Sequence, residues 1–393
     1  MMHPKRQPSA THRVVTADGI HTLHVREYGD RQHARAGTVV YLHGGPGGGS
    51  PPDTARLFDP EAFHVITFDQ RGCGLSECED RLRSNTLDLL VQDVETIREA
   101  LAIDKWGVMG SSYGSLLTVL YAARHAARVS WALLHGVFLG SRAEIAWLYE
   151  EGGASRFYPQ QWEDFQACSQ SSQVEENGMS GASACSTMQP KAVAHVDGKW
   201  CDESGAHPFP ILESYHSRLT RHPAIQPSLR ANPLPADGVT ADGPPPAEVL
   251  RAAEALVKFE DEMETLAPMP ATHEVGELVS GAQIAAHHFY HGCFLPEAGC
   301  VSELSAGREA LAGIPCRIIH GRHDVVCTPR AAYRVQALWP HSQLRIVESG
   351  AHALFEKPMR AAAQACLAEL TQFAGGAGGI KTCASNTSSK RKR

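Results

Sequence analysis

No apolar run in this 393-residue sequence approaches the roughly 18 residues needed to cross a bilayer, so no membrane partner is expected. The first residues, Met1 to Pro8, are polar and lack the apolar stretch of a secretory signal, which points to a cytoplasmic location. Positive charge is not in excess: 36 Lys and Arg stand against 43 Asp and Glu, a net charge of −7, which argues against a nucleic-acid surface. The 11 cysteines contain no C-x-x-C pair and no tight spacing, so reduced thiols are expected. Cys168, Cys185 and Cys201, with His195 between them, are accordingly read as scattered residues and not as a metal site. No internal repeat is present.

The 43% hydrophobic and 20% charged content suits a globular chain large enough for a substantial core. Residues 12–15 and 21–28 alternate around Asp18-Gly19 as a strand pair should. Residues 38–42 and 63–69 read as strands, 87–101 as a helix with apolar residues at helical spacing, and 129–134 as another strand. Strands at 316–320 and 344–347 and a helix over 359–373 follow much later. This alternation implies an α/β architecture with a doubly wound, mostly parallel sheet. Between them, helices are expected at 143–150, 211–219, 246–266 and 283–290. Two stretches, 168–208 and 231–247, are rich in small, polar or proline residues and read as irregular insertions. Residues 375–393 read as a solvated, disordered tail ending in Lys390-Arg391-Lys392-Arg393. The expected division is therefore a core over 1–139, a helical segment over 140–306, a second core part over 307–374, and the tail.

The chemistry centres on Gly110-Ser111-Ser112-Tyr113-Gly114. It lies between an apolar strand and a helix, so Ser112 falls at a sharp turn, with its hydroxyl exposed at a helix N-terminus. A serine hydroxyl is a poor nucleophile at neutral pH and needs a base held by a carboxylate. Asp324 follows the strand at 316–320, and His352 follows the strand at 344–347, which is the order Ser, Asp, His that this architecture requires. The oxyanion donors are expected to be the N–H of Tyr113 and that of Gly45, in the loop His43-Gly44-Gly45-Pro46-Gly47-Gly48-Gly49. That loop lacks the G-K-[ST] ending of a phosphate-binding loop. Cys327, three residues after Asp324, is close enough in sequence that a bulky thiol reagent there is expected to disturb the triad.

Together these segments resemble the proline iminopeptidases, serine peptidases of the α/β-hydrolase fold with an inserted, mainly helical cap domain. The resemblance rests on His43–Gly49, on Asp69-Gln70-Arg71-Gly72-Cys73-Gly74 with Ser76, on Gly110–Ser115, on Gly136–Leu139, on Trp147–Ser155, and on Gly321–Asp324 and Gly350–His352. It covers about 12–166 and 210–372. It implies that Ser112 attacks the carbonyl of an N-terminal proline, that His352 moves the protons, and that no cofactor or metal takes part. The implied partners are short peptides with N-terminal proline; the oligomeric state is left open. The resemblance places Phe138, Tyr149 and Phe289 around the proline ring and Glu260 at the substrate's free amine. A second amine-binding glutamate and an arginine of the family are replaced here by Ala285 and Gln283, with Glu262 and Glu264 as nearby acids able to substitute. Two other readings remain at this stage. One is an esterase, lactonase or amidase on the same fold, since fold does not determine substrate. The other is a non-catalytic binding protein.

Overall fold

The computed structural model describes residues 2–170, 193–196, 199–202, 206–221, 236–239, 243–266 and 273–373. Most of the two low-complexity stretches, the tail and Cys185 lie outside the described residues.

The sheet contains β1 (Ala10–Val15), β2 (His21–Tyr28), β3 (Thr38–Leu42), β4 (His64–Asp69), the short β5 (Glu77–Cys78), β6 (Trp106–Ser111) and β7 (Val129–His135). A separate antiparallel pair follows, β8 (Val193–Val196) with β9 (Lys199–Asp202). The main sheet then resumes with β10 (Cys316–Gly321) and β11 (Gln343–Val347). Its order is β1-β2-β4-β3-β6-β7-β10-β11, with β5 on β2. All neighbours from β4 to β11 pair in parallel, and β1, β2 and β5 are antiparallel. Every residue of β3, β4, β6 and β10 is buried, as expected for parallel strands covered on both faces.

The faces separate by strand alternation. Val40, Leu42, Ile66, Val108 and Ile318 pack with helices α1 (Leu87–Ala100) and α2 (Tyr113–Arg124) on one side. Val39, Tyr41, Val65, Met109 and Ile319 share the other core with Phe58 and Trp131. Gly107 makes room there, since a Cβ on it would sit 2.1 Å from the Trp131 ring.

After β7 come α3 (Arg142–Tyr149), α4 (Pro159–Gln170), α5 (Pro210–His216), α6 (Ala247–Glu264) and α7 (Val275–Tyr290). Their shared core is aromatic: Phe165 stacks on Tyr215 at 4.4 Å and on Phe259 at 4.7 Å. Offset aromatic pairs contribute about 0.5–1.5 kcal/mol each beyond area burial. Short helices α8 (Val301–Ala306) and α9 (Arg308–Leu311) lead to β10; α10 (Pro329–Leu338) and α11 (Lys357–Leu370) flank β11, and α11 buries Ala363, Cys366 and Leu367 in the second core.

Several boundaries differ from the sequence reading. Residues 211–219 form α5 and then a single π-helical turn, Ser217–Arg221. The helix expected at 283–290 begins at Val275; Gly276, Ser280 and Gly281 are weak helix formers that hide it in sequence. The region 168–208 holds the end of α4 and the β8–β9 pair. The last helix ends at Leu370 and tightens into a 3₁₀ turn over Thr371–Phe373.

Candidate active site

Ser112 joins β6 to α2 with φ 56° and ψ −124°, a left-handed conformation that costs a non-glycine residue roughly 1–3 kcal/mol. The flanking glycines make this turn possible by close approach. A Cβ on Gly110 would lie 2.0 Å from the Gly114 carbonyl oxygen, and one on Gly114 would lie 2.0 Å from that of Leu42. Ser112 N–H donates to the His135 carbonyl at 2.9 Å. Ser115 Oγ donates to the Ser112 carbonyl at 2.6 Å and accepts the Phe138 N–H at 3.0 Å. The serine is thus held from both sides.

His352 Nδ1 and Asp324 Oδ2 are 2.8 Å apart. Asp324 Oδ1 accepts the Cys327 N–H at 2.8 Å. Burial alone would raise the Asp324 carboxyl pKa, but His352, His320 and that N–H hold it below its ordinary value. Burial pulls the His352 imidazole down, but Asp324, with Glu264 and Glu260 beyond it, outweighs burial and lifts it to about 8. Gly136 gives the ring its space: at φ +53°, a Cβ there would lie 2.9 Å from His352 Cε1. Ser112 and His352 line one cavity. Among the described residues Ser112 Oγ makes no hydrogen bond to His352; Cys327 lines the same cavity. Catalytic hydrogen bonds are often long or misaligned before substrate arrives. Cys327 is buried, and burial pushes its thiol well above the ordinary range, so the group beside the serine is a poorly reactive thiol.

Gly45 and Tyr113 both line this cavity, and neither N–H has a protein acceptor among the described residues. The Asp69–Gly74 segment holds the loop that carries Gly45. Gln70 Nε2 donates to the His43 carbonyl at 2.9 Å, and Gln70 N–H donates to His43 Nε2 at 3.1 Å. Asp69 Oδ1 accepts the Ser50 N–H at 2.8 Å. Arg71 is wholly buried and makes a bidentate pair with Asp93 at 2.6 and 2.8 Å, a fork geometry suited to guanidinium. Sequence reasoning quoted this segment only as a signature, and the structure supplies its work.

Phe138, Phe289 and Glu260 also line the cavity, which measures about 240 Å³. That is below the roughly 300–1,000 Å³ of drug-sized sites. Phe138 meets Phe289 edge-on at 6.1 Å. Tyr149 lies behind them, 5.3 Å from the Phe289 ring centroid, and donates its hydroxyl to Glu260; Leu148, not Tyr149, reaches the wall. Burial raises the Glu260 carboxyl to about 7. Glu264, one turn further along α6, lines the same cavity, and burial raises its carboxyl as well; Glu262 does not reach it. Ala285 is buried in α7. The Glu264 carbonyl accepts the N–H groups of His352 and Ala353 at 3.0 and 2.9 Å, and Trp147 Nε1 donates to the Val325 carbonyl at 2.7 Å. The helical layer therefore fastens both the histidine and the aspartate loops.

The carboxylates around His352 have a pH consequence. A base must be neutral to accept the serine proton, so phosphonylation of Ser112 by a neutral organophosphonate is expected to speed up as pH rises through about 8. Removing the Glu264 charge removes one interaction that favours the imidazolium. Glu264→Gln should therefore move this limb to lower pH, and an unmoved limb would show that Glu264 does not act on His352.

No described helix is long and apolar enough to cross a membrane. The described cysteines are free thiols; Cys168 Sγ lies 3.8 Å from the Arg251 carbonyl oxygen.

Residues 37–167 match the family model described as the alpha/beta hydrolase fold. The chain is 30% identical over 343 residues to a proline iminopeptidase of Neisseria gonorrhoeae, covering 86% of this chain and 89% of that one. It is 32% identical over 337 residues to a proline iminopeptidase of Arabidopsis thaliana, covering 86% and 73%. Among solved structures, a proline iminopeptidase of Mycobacterium smegmatis superposes with a TM-score of 0.51 at 19% identity, covering 93% of this chain and 100% of that one, a likeness of fold.

Proposed function

Because this chain belongs to the proline iminopeptidase family of α/β-hydrolases, we propose that it is a serine aminopeptidase releasing N-terminal proline from short peptides. Ser112 attacks the carbonyl of the terminal proline as His352 takes the hydroxyl proton, and Asp324 holds the imidazole in the tautomer that leaves Nε2 as the base. The oxyanion is received by the N–H groups of Gly45 and Tyr113. His352 then protonates the leaving amine, and the same base activates the water that frees proline from Ser112. Phe138 and Phe289 offer apolar faces to the ring. The segment 140–306 acts as a cap that restricts entry to chain ends.

The observation that carries this reading is Glu260. It is a half-buried carboxyl in a small cavity beside Ser112, with Tyr149 as its hydrogen-bond donor. A carboxyl lifted to about 7 by burial is stabilised as the anion by a cation, which is what a peptide's free amine supplies. Glu264 stands on the same helix face and takes the place of the acid absent at Ala285. Glu260→Gln should lower kcat/KM for prolyl-anilide by on the order of 30-fold or more, since truncating one partner of a buried charge pair costs about 2–5 kcal/mol. A simple acyl ester, which carries no amine, should show no such loss when assayed above the pH limb of His352. An equal loss on both substrates would place Glu260 in the structure of the site and not in amine recognition.

A further inference from the structure

Away from the catalytic cavity, three histidines converge at the C-terminal end of α7. His287 and His291 lie one turn apart there, and His216 ends α5. One ring nitrogen from each lies within 4.8 Å of the other two. We propose that His216, His287 and His291 form a site for one divalent cation of the zinc class, distinct from the catalytic pocket.

Four observations converge on it. His216 is 4% exposed, and its Nδ1 has no hydrogen-bond partner; a buried unpaired nitrogen is costly unless something occupies it. Its ring is locked by stacking on Tyr290 at 3.9 Å and 3°, so the donor is oriented in advance. His287 Nε2 pairs with the Asn85 carbonyl at 3.1 Å. Metal-binding histidines commonly donate their second nitrogen in this way, which fixes the tautomer and leaves the other lone pair for the ion. The cluster also sits at the last turn of a 16-residue helix, where the helix dipole favours a cation.

The ligand set selects the ion. Three neutral imidazoles and no carboxylate suit zinc, cobalt, nickel or copper and not calcium or magnesium. Zn–N bonds of about 2.0–2.1 Å in a tetrahedral site put the nitrogens about 3.3 Å apart. Binding an ion therefore draws the three rings closer than their present spacing, and His287 and His291 are partly exposed. Three protein ligands leave one position for water. In sequence, only the spacing His287-x-x-x-His291 hints at the site; its third member comes from another helix.

Cobalt(II) titration of the full chain tests this without reference to activity. One equivalent should bind with the intense visible bands of a tetrahedral site and with no thiolate charge-transfer band, which separates it from any cysteine site. His291→Ala, at a partly exposed position, should weaken this binding by at least about 100-fold, more than loss of a supporting contact does. His216→Phe keeps a ring on Tyr290 and should do the same. Unchanged thermal unfolding and unchanged phosphonylation of Ser112 show that the variants are folded. Absence of a tetrahedral cobalt spectrum in the wild-type chain, or the same spectrum and affinity in both folded variants, would overturn the proposal.

Discussion

Ser112→Ala should lower kcat on prolyl-anilide by on the order of a million-fold, the effect of removing the serine from such a triad. The residue places its hydroxyl at the turn between β6 and α2, in the cavity that His352 and the proposed oxyanion donors Gly45 and Tyr113 also line, whereas the neighbouring Ser111 hydroxyl pairs with His135 Nδ1. Its position is also strained, with φ at 56°. Alanine keeps the Cβ and therefore the strain, whereas glycine releases it. Ser112→Gly should be equally inactive yet more stable than Ser112→Ala by about 1 kcal/mol, the low end of the cost of such a conformation. Equilibrium unfolding in urea measures the difference. Activity in Ser112→Ala within tenfold of the wild type would remove Ser112 from the mechanism.

Asp324→Asn should lower kcat by about 10⁴-fold, as the corresponding change does in other serine triads. The reason lies in the two bonds that the carboxylate accepts, from Cys327 N–H and from His352 Nδ1. An asparagine must keep its oxygen on the Cys327 N–H, because turning it would bring two donors together. Its NH₂ then faces Nδ1, which becomes an acceptor, and the proton moves to Nε2, where the base is needed. The same change removes the charge that holds the imidazole pKa up, so the pH limb of Ser112 phosphonylation should fall as well. A variant with wild-type kcat and an unmoved limb would show that Asp324 does not orient His352.

The parallel strands were legible because burial on both faces makes them continuous apolar runs. Val39-Val40-Tyr41-Leu42 and Val65-Ile66 are such runs. Helix α1 was legible for a different reason: Leu87, Leu90, Val91, Val94 and Ile97 repeat at helical spacing. Helix α4 was missed because only Trp162, Phe165 and Ser169 face inward, too sparse a stripe to stand out. The order of Ser112, Asp324 and His352 at strand ends was readable, and the structure places Ser112 and His352 on one cavity with Asp324 bonded to His352. The support beneath them was not. Gln70 reaches His43, Gly136 leaves room for His352, and Glu264 faces the cavity only because α6 crosses above the histidine loop. Each of these depends on a meeting between distant segments that no local pattern encodes.

Those hidden contacts also show how the helices bear on the chemistry. Helix α6 places Glu260 and Glu264 in the cavity and binds the His352 loop through its last carbonyl. In the proposed function, recognition of the substrate amine and placement of the base thus rest on one helix.

The most direct measurement compares initial rates of the wild-type chain on prolyl-anilide, N-acetyl-prolyl-anilide and a simple acyl ester. Acetylation removes the charge that Glu260 would meet and adds bulk at the same nitrogen, and the ester reports the nucleophile independently of both. Turnover of prolyl-anilide with none of its acetylated form is the predicted result. Ester cleavage without prolyl-anilide turnover would contradict the aminopeptidase assignment, leaving the nucleophile in place on a site built for another substrate.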